Sequence, residues 1–125
     1  MNKFKQLSSV HPSSPQDPVP LPFLHASGSL HFEDVRLRFL VIDRLGSDLD
    51  KWFKGGASPW PLPTVLRVAA MVVDALKFIH HQGYTHNDVK SQNLLVGLSK
   101  EEKESVTLVD FGLACRLVDC VALPT

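Results

Sequence analysis

The sequence predicts an α+β fold, and three observations lead to that prediction. Apolar residues recur at helical spacing through a stretch near the middle of the chain. Short apolar runs bounded by charged or turn-forming residues predict strands on either side of it. The length of 125 residues favours one small domain.

The long helix is predicted from about residue 63 to residue 82. Its apolar stripe has alternating spacings of four and three residues, and two further side chains widen it. Pro63 suits the first turn and Gly83 the C-terminal cap. The predicted stripe consists of Val65, Ala69, Val72, Leu76 and Ile79, widened by Leu66 and Val73.

Shorter elements flank this helix. A run at 38–43 predicts a buried strand, and the runs at 94–96 and 106–109 predict two more, joined by a charged turn. A second, short helix is expected to start after Gly46, with either Ser47 or Asp48 as its N-cap, and to end at the glycine pair 55–56.

The ends of the chain differ from its middle. Residues 8 to 22 hold five of the nine prolines together with four serines, which excludes a helix interior or a central strand. We therefore expect residues 1–22 to form a disordered arm. Residues 119–125 form a tail without a recognisable pattern.

Composition narrows the class of partner and compartment. Thirteen basic and thirteen acidic residues cancel, with a pI near 7.0, so direct nucleic-acid binding is not expected. No apolar run is long enough for a membrane span, and the N-terminus has no secretory pattern, so we expect a location in the cytoplasm or nucleus. Cys115 and Cys120 are expected to be free thiols.

A cluster of polar residues lies between the long helix and the second pair of strands. Asp88, Lys90 and Asn93 share one short loop, and Asp110 follows 22 residues after Asp88. Transfer of a γ-phosphoryl group from magnesium–ATP requires a base, bound Mg²⁺ and neutralised phosphate charge. Asp88 is the candidate base and Lys90 the phosphate contact, while Asn93 and Asp110 offer the oxygen ligands that Mg²⁺ prefers.

The ordered set Asp88-x-Lys90-x-x-Asn93 and Asp110-Phe111-Gly112 resembles the catalytic loop and metal-binding triplet of eukaryotic protein kinases. Lysine two residues after the aspartate resembles the serine/threonine type. The segments 38–49 and 110–116 are similar to those of the vaccinia-related kinases, within the casein kinase 1 group. The resemblance implies a partial kinase domain over residues 23–118.

That partial domain would be a fragment of a bilobal fold. It would comprise the last small-lobe strands, the hinge and the first half of the helical large lobe through the metal-binding triplet. The resemblance implies that Ile42 is the gatekeeper, that Asp43 and Leu45 bond the adenine edge through their backbones, and that Leu95 packs beneath the adenine ring. His86 would brace the triplet.

Asn87 departs from the pattern of many kinases. An arginine commonly stands there and grips a phosphorylated activation loop, which asparagine cannot do by a bidentate ion pair. The vaccinia-related kinases also lack that arginine. The resemblance therefore predicts an activity that does not require activation-loop phosphorylation.

Two hypotheses about function remain open. The sequence contains no glycine-rich phosphate loop and no strand lysine upstream of the catalytic loop, so we expect the chain to be inactive alone. In the first hypothesis it is a fragment of a serine/threonine kinase that uses ATP and Mg²⁺ to phosphorylate protein substrates. In the second it is a catalytically inactive regulator or interaction module.

Overall fold

The computed structural model describes residues 19–55, 60–98 and 105–120. The predicted arm up to residue 18 and the predicted tail from residue 121 therefore lie outside the described residues, as does most of the charged turn. The described elements are β1 (Leu24–Phe32), β2 (Val35–Ile42), α1 (Leu49–Gly55), α2 (Leu62–His81), β3 (Tyr84–Thr85), a 3₁₀ turn (Ser91–Asn93), β4 (Leu94–Val96), β5 (Val106–Leu108), β6 (Cys115–Arg116) and α3 (Leu117–Cys120).

Strands β1 and β2 form an antiparallel hairpin around the two-residue turn Glu33–Asp34. Strand β1 was not predicted, because its polar and small residues give no alternating pattern. The expectation of a buried strand near residue 40 was wrong. Every residue of β2 is exposed, because among the described residues β1 pairs with only one of its edges and no layer covers its apolar side chains.

The connector from β2 to α1 lies along strand β4. The Gly46 amide donates to the Val96 carbonyl at 2.8 Å, and the Val96 amide donates to the Ser47 carbonyl at 3.1 Å. Gly46 has no room for a side chain, since a Cβ would lie 2.9 Å from the Val96 carbonyl oxygen. Of the two candidate N-caps, Asp48 is the one used: its Oδ1 accepts from the Lys51 amide at 3.0 Å.

Helix α2 packs against β5 and carries much of the core. Ala75 and Ile79 are fully buried, and Gly83 follows the helix with a positive φ of 78°, as its predicted capping role requires. The predicted stripe is confirmed in part: Val72, Leu76 and Ile79 contribute to the core, whereas Val65 and Ala69 are exposed. Partly buried Val68 and Met71 belong to the covered side, whereas Leu66 and Val73 are each 61% exposed. The helix therefore has apolar residues on two faces, and the described residues cover one of them.

The antiparallel hairpin β4–β5 lies at the centre of the core, with its inward residues buried and Leu95 and Thr107 on the other side. Residues 19–22 run beside it. The Leu108 amide donates to the Pro20 carbonyl at 2.9 Å, Leu21 packs against the core, and Pro22 is buried.

The expectation of free thiols was wrong: Cys115 and Cys120 form a disulfide. Strand β6 pairs with β3, and the single turn of α3 that follows returns the chain so that Cys120 reaches Cys115. The Thr85 hydroxyl lies within 3.4 Å of both sulfur atoms. Within the residues that the structure describes, no helix combines the length and apolar character needed to cross a bilayer.

Candidate active site

The loop after α2 is organised by His86, whose side chain is 1% exposed. Its Nδ1 accepts from the Asp88 amide at 3.2 Å, so the ring proton lies on Nε2, which donates to the Val109 carbonyl at 3.0 Å. The ring also meets Phe111 edge-on, with centroids 4.9 Å apart. His86 therefore joins the catalytic-type loop to the Asp110 triplet, as the resemblance implies.

Asp88 is the centre of a hydrogen-bonded cluster. Its Oδ2 accepts from Lys90 Nζ at 2.7 Å and from Asn93 Nδ2 at 3.0 Å, and its carbonyl accepts from the same Asn93 amide at 2.9 Å. The hydrogen bond from Lys90 is the main reason that the pKa of Asp88 lies below its ordinary value, and the Asn93 bond acts in the same direction. The carboxylate is thus held ionised, with its side chain 22% exposed.

Asn93 connects this cluster to Asp110. The Val109 amide donates to the Asn93 carbonyl at 2.9 Å, which fixes the residue before Asp110 against the loop. Asp110 itself has a φ of 63°, in the left-handed region. The backbone turns at Asp110, and the Gly112 amide donates to the Asp110 Oδ1 at 3.1 Å. Strained backbone of this kind is frequent at functional sites.

A cavity of about 400 Å³ lies between β2 and the triplet. Ile42 lines it from the strand side, and Asp110, Phe111 and Gly112 line it from the other, with Pro22 closing one edge. The structure therefore brings the predicted gatekeeper and one predicted metal ligand to the same space.

The other predicted nucleotide-site residues lie on the connector and on β4. The Asp43 carboxylate accepts from the Phe23 amide at 3.1 Å and contacts His25 Nε2 at 2.7 Å, which leaves only its backbone for an adenine edge. Leu45 is half-buried. The backbone of Leu95 forms an isolated β-bridge with Asp48. Leu95 lies between two buried residues of β4, so its side chain is on the side opposite the core. None of these three lines the cavity beside Asp110.

Asn87 also has a left-handed backbone, with a φ of 65°. Its Nδ2 donates to the Leu113 carbonyl and to Cys115 Sγ, each at 3.1 Å. Sequence reasoning identified what Asn87 cannot bind but missed these contacts, because they depend on how the chain turns after the triplet. No sequence pattern indicated them.

The donor set fits Mg²⁺ rather than a softer metal. Asn93 directs Nδ2 to Asp88, which leaves Oδ1 as its acceptor atom, and Asp110 supplies carboxylate oxygen. Across residues 19–55, 60–98 and 105–120 no group of three His, Cys, Asp or Glu side chains could hold a metal ion. One carboxylate and one amide are typical of a magnesium site that substrate phosphates complete.

Comparison with known proteins agrees with this geometry. The family described as "protein kinase domain" matches residues 31–124. The chain is 39% identical over 98 residues to nucleosomal histone kinase 1 of Drosophila melanogaster. The aligned stretch covers 78% of this chain and 16% of that protein.

Two further relatives belong to the same vaccinia-related branch. Human serine/threonine-protein kinase VRK2 is 36% identical over 100 residues, covering 80% of this chain and 19% of the relative. The B1 kinase of vaccinia virus (strain Western Reserve) is 35% identical over 85 residues, covering 68% and 28% respectively. The chain thus spans less than a third of these relatives. With the loop and triplet joined through His86 and Asn93, the family match shows that this chain belongs to the protein kinase domain family, with vaccinia-related kinases among its relatives.

Proposed function

We propose that this chain carries the phosphoryl-transfer half of a serine/threonine protein kinase site. One observation supports this most: Lys90, Asp88 and Asn93 form one hydrogen-bonded cluster, and Asn93 holds the backbone that leads to Asp110. A polar surface turn has no need of a buried asparagine, a buried histidine and two left-handed residues to join it to a second loop.

Asp88 would orient the hydroxyl of a protein serine or threonine and accept its proton. Its lowered pKa keeps the carboxylate in the basic form at neutral pH, and its partly exposed side chain is accessible to a substrate. A carboxylate with a low pKa is a weak base, which suits a loose transition state in which positioning contributes more than proton abstraction.

Lys90 would move from Asp88 toward the γ-phosphate, or contact both, since its flexible side chain is 47% exposed. Asn93 and Asp110 would hold Mg²⁺, which supplies charge neutralisation at the phosphates when it is bound. Ile42 would lie beside the adenine of ATP, with the Asp43 and Leu45 backbones at its edge and Leu95 beneath it.

We further propose that the chain is inactive alone. It contains no glycine-rich phosphate loop and no strand lysine paired with a helix glutamate, and both groups take part in kinase chemistry. Incubation of the chain with radiolabelled magnesium–ATP and a protein substrate should then label no protein. Labelling that Asp88→Asn abolishes would contradict this part of the proposal.

A chimera tests the catalytic assignment. Residues 38–116 of this chain would replace the segment to which they align in human VRK2, and transfer of radiolabelled phosphate to a protein substrate would be followed by phosphoamino-acid analysis. We expect labelled serine and threonine, and a loss of about 10²-fold or more with Asp88→Asn. Asp74→Asn, on an exposed turn of α2, is the matched control and should keep activity. A chimera that folds and binds ATP but transfers no phosphate would refute the assignment.

One observation favours the second hypothesis, that of a catalytically inactive interaction module. The β1–β2 hairpin exposes several large apolar side chains, among them Phe32 at 64% and Val35 at 57%. Exposed apolar surface of this kind is typical of a binding face. The two hypotheses differ in the chimera, because an inactive module would not support phosphate transfer there.

A further inference from the structure

The disulfide between Cys115 and Cys120 lies on the segment that follows the Asp110 triplet. The chain has two cysteines, so each thiol has one possible partner within the molecule. Both cysteines are half-buried by the described residues, and they are five residues apart in sequence, with the single turn of α3 between them. Disulfides that are accessible to solvent are the ones that exchange with small thiols most readily.

One contact of the disulfide reaches the residue before the candidate base. The Asn87 side-chain amide has two hydrogens, and its Nδ2 donates to Cys115 Sγ and to the Leu113 carbonyl, each at 3.1 Å. Asn87 also has a left-handed φ of 65°. Residues other than glycine hold that conformation where their surroundings support it. The sulfur is therefore one of the groups that position the backbone leading to Asp88.

A second contact is made by Thr85, on the other side of His86. Its hydroxyl oxygen lies 3.2 Å from Cys115 Sγ, 3.4 Å from Cys120 Sγ and 3.4 Å from the Cys115 carbonyl oxygen. A disulfide sulfur carries no hydrogen, so in the oxidised protein the hydroxyl is the donor to these acceptors. In the reduced protein each thiol gains a hydrogen and can donate to the hydroxyl instead. The hydrogen bonding beside His86 thus depends on the oxidation state of the pair.

The turn of α3 depends on the disulfide for its conformation. The helix has four residues, none of them buried, and a helical turn of this length is not stable by itself in water. The ion pair between Arg116 and Asp119 is exposed on both sides, so it contributes little. Strand β6, which precedes α3, pairs with β3 over two residues. Cleavage of the disulfide would therefore free α3 and leave β6 held by a short ladder.

We propose that Cys115 and Cys120 are a redox-sensitive pair that exchanges with glutathione, and that reduction loosens the hold of this segment on Asn87. A glutathione thiolate attacks one sulfur, which forms a mixed disulfide and expels the other cysteine as a thiolate. A second glutathione thiolate attacks the glutathione sulfur of the mixed disulfide, which expels the remaining cysteine thiolate and forms glutathione disulfide. Two electrons thus pass to the protein, and each cysteine takes up the proton that one glutathione released. The inference does not depend on the proposed phosphoryl transfer.

A redox titration of the full chain tests the exchange. The chain would be equilibrated without oxygen in mixtures of reduced and oxidised glutathione, quenched with acid, and labelled with a maleimide polymer that retards the protein on a gel once for each free thiol. We expect conversion from no free thiol to two within the range of these mixtures. The folded chain should favour the disulfide by about tenfold or more over the chain in concentrated urea, because the fold holds the two cysteines together.

NMR spectra of the ¹⁵N-labelled chain test the coupling to the loop. At low temperature and low protein concentration, reduction should shift the side-chain amide of Asn87 and the backbone amides of Thr85 and Asp88. The Lys51 amide, which donates to Asp48 at the start of α1, is the internal control and should not shift.

Two variants separate the disulfide from other effects of glutathione. Cys115→Ala with Cys120→Ala should give the same spectrum in reduced and in oxidised glutathione. Cys120→Ala alone keeps a sulfur beside Asn87 but no ring, so in reduced glutathione its Asn87 side-chain amide should resemble that of the reduced parent.

A disulfide that persists in a large excess of reduced glutathione would be a static crosslink and would overturn the inference. So would equal midpoints for the chain in buffer and in urea, since the fold would then not favour the pair. Shifts confined to residues 113–120 on reduction would overturn the coupling to Asn87.

Discussion

At the scale of single residues, the site depends on a few hydrogen bonds that set charge and direction. Lys90 and Asn93 both donate to Asp88 Oδ2, and His86 fixes the Asp88 backbone amide. The lysine bond is the largest cause of the lowered pKa of Asp88. A carboxyl whose folded pKa is depressed stabilises the fold above its unfolded pKa of about 3.9, and this contribution is lost as pH falls through the folded pKa.

Removing the Lys90 charge should therefore raise the pKa of Asp88 toward its ordinary value. In Lys90→Met we expect the carboxyl carbon of Asp88 to titrate at higher pH in an NMR titration. We also expect a smaller loss of folding stability at low pH from Asp88. Lys77→Met, at an exposed position on α2, is the control and should leave the titration unchanged. An unchanged Asp88 titration in Lys90→Met would show that the lysine bond does not set its charge.

At the scale of elements, the capping of α1 shows how a local sequence signal is used. Ser47 and Asp48 were equal candidates from the sequence, because both side chains can accept from a helix N-terminal amide. The structure uses Asp48, whose Oδ1 accepts from Lys51, while Ser47 contributes its carbonyl to β4. The choice depends on the pairing of the connector with β4, a contact between residues nearly fifty positions apart.

Truncation of these two neighbours should thus have unequal effects. Asp48→Ala removes the cap and the ion pair with Lys51, so we expect a lower urea midpoint and a melting temperature lower by a few degrees. Ser47→Ala keeps the backbone bond and should change neither value. Equal losses in the two variants would contradict the assignment of Asp48 as the cap.

At the scale of the whole molecule, much apolar surface stays uncovered by the described residues. Helix α2 exposes Leu62, Leu66 and Val73 by 61–68%, and β2 is exposed along its length. Each large side chain left in water forgoes roughly 1.5–3 kcal/mol of burial, against a typical domain stability of about 5–15 kcal/mol.

We therefore expect the isolated 125-residue chain to be marginally stable and prone to aggregate. Calorimetry should show a broad transition of low enthalpy, and size-exclusion chromatography should show concentration-dependent association. A sharp, reversible transition of a monomer would contradict this expectation.

The sequence predicted the elements whose signals are local. The period of α2, the Gly83 cap and the β4–β5 pair are confirmed, because each depends on a pattern within a few residues. Strand β1 was missed because its few apolar residues do not alternate regularly with polar ones. The predicted stripe of α2 is confirmed only at Val72, Leu76 and Ile79, because periodicity identifies an apolar stripe but not which side the rest of the chain covers. The disulfide depended on the turn of α3 and could not be read from spacing.

For the site, the sequence identified the side chains that form the cluster but not how the two loops are joined. The hydrogen bond from the Val109 amide to the Asn93 carbonyl is a property of the folded backbone, and so is the left-handed φ of Asn87 and Asp110. No residue type specifies them, although asparagine and aspartate tolerate that conformation better than most.

The lack of space at Gly46 has a mechanical consequence. At Gly46 the connector from β2 to α1 touches β4 directly, with no side chain between the two backbones. The connector therefore cannot slide along β4, the strand that follows Asn93. The backbone of Gly46 and Ser47 is thereby held in place relative to β4 and to the polar loop that precedes it. The remaining degrees of freedom of the cavity beside Asp110 lie at its other walls, the β1–β2 hairpin and the triplet. We expect any change in the width of that cavity to be a rotation of the hairpin about the residues before Gly46, not a sliding of the hairpin along β4.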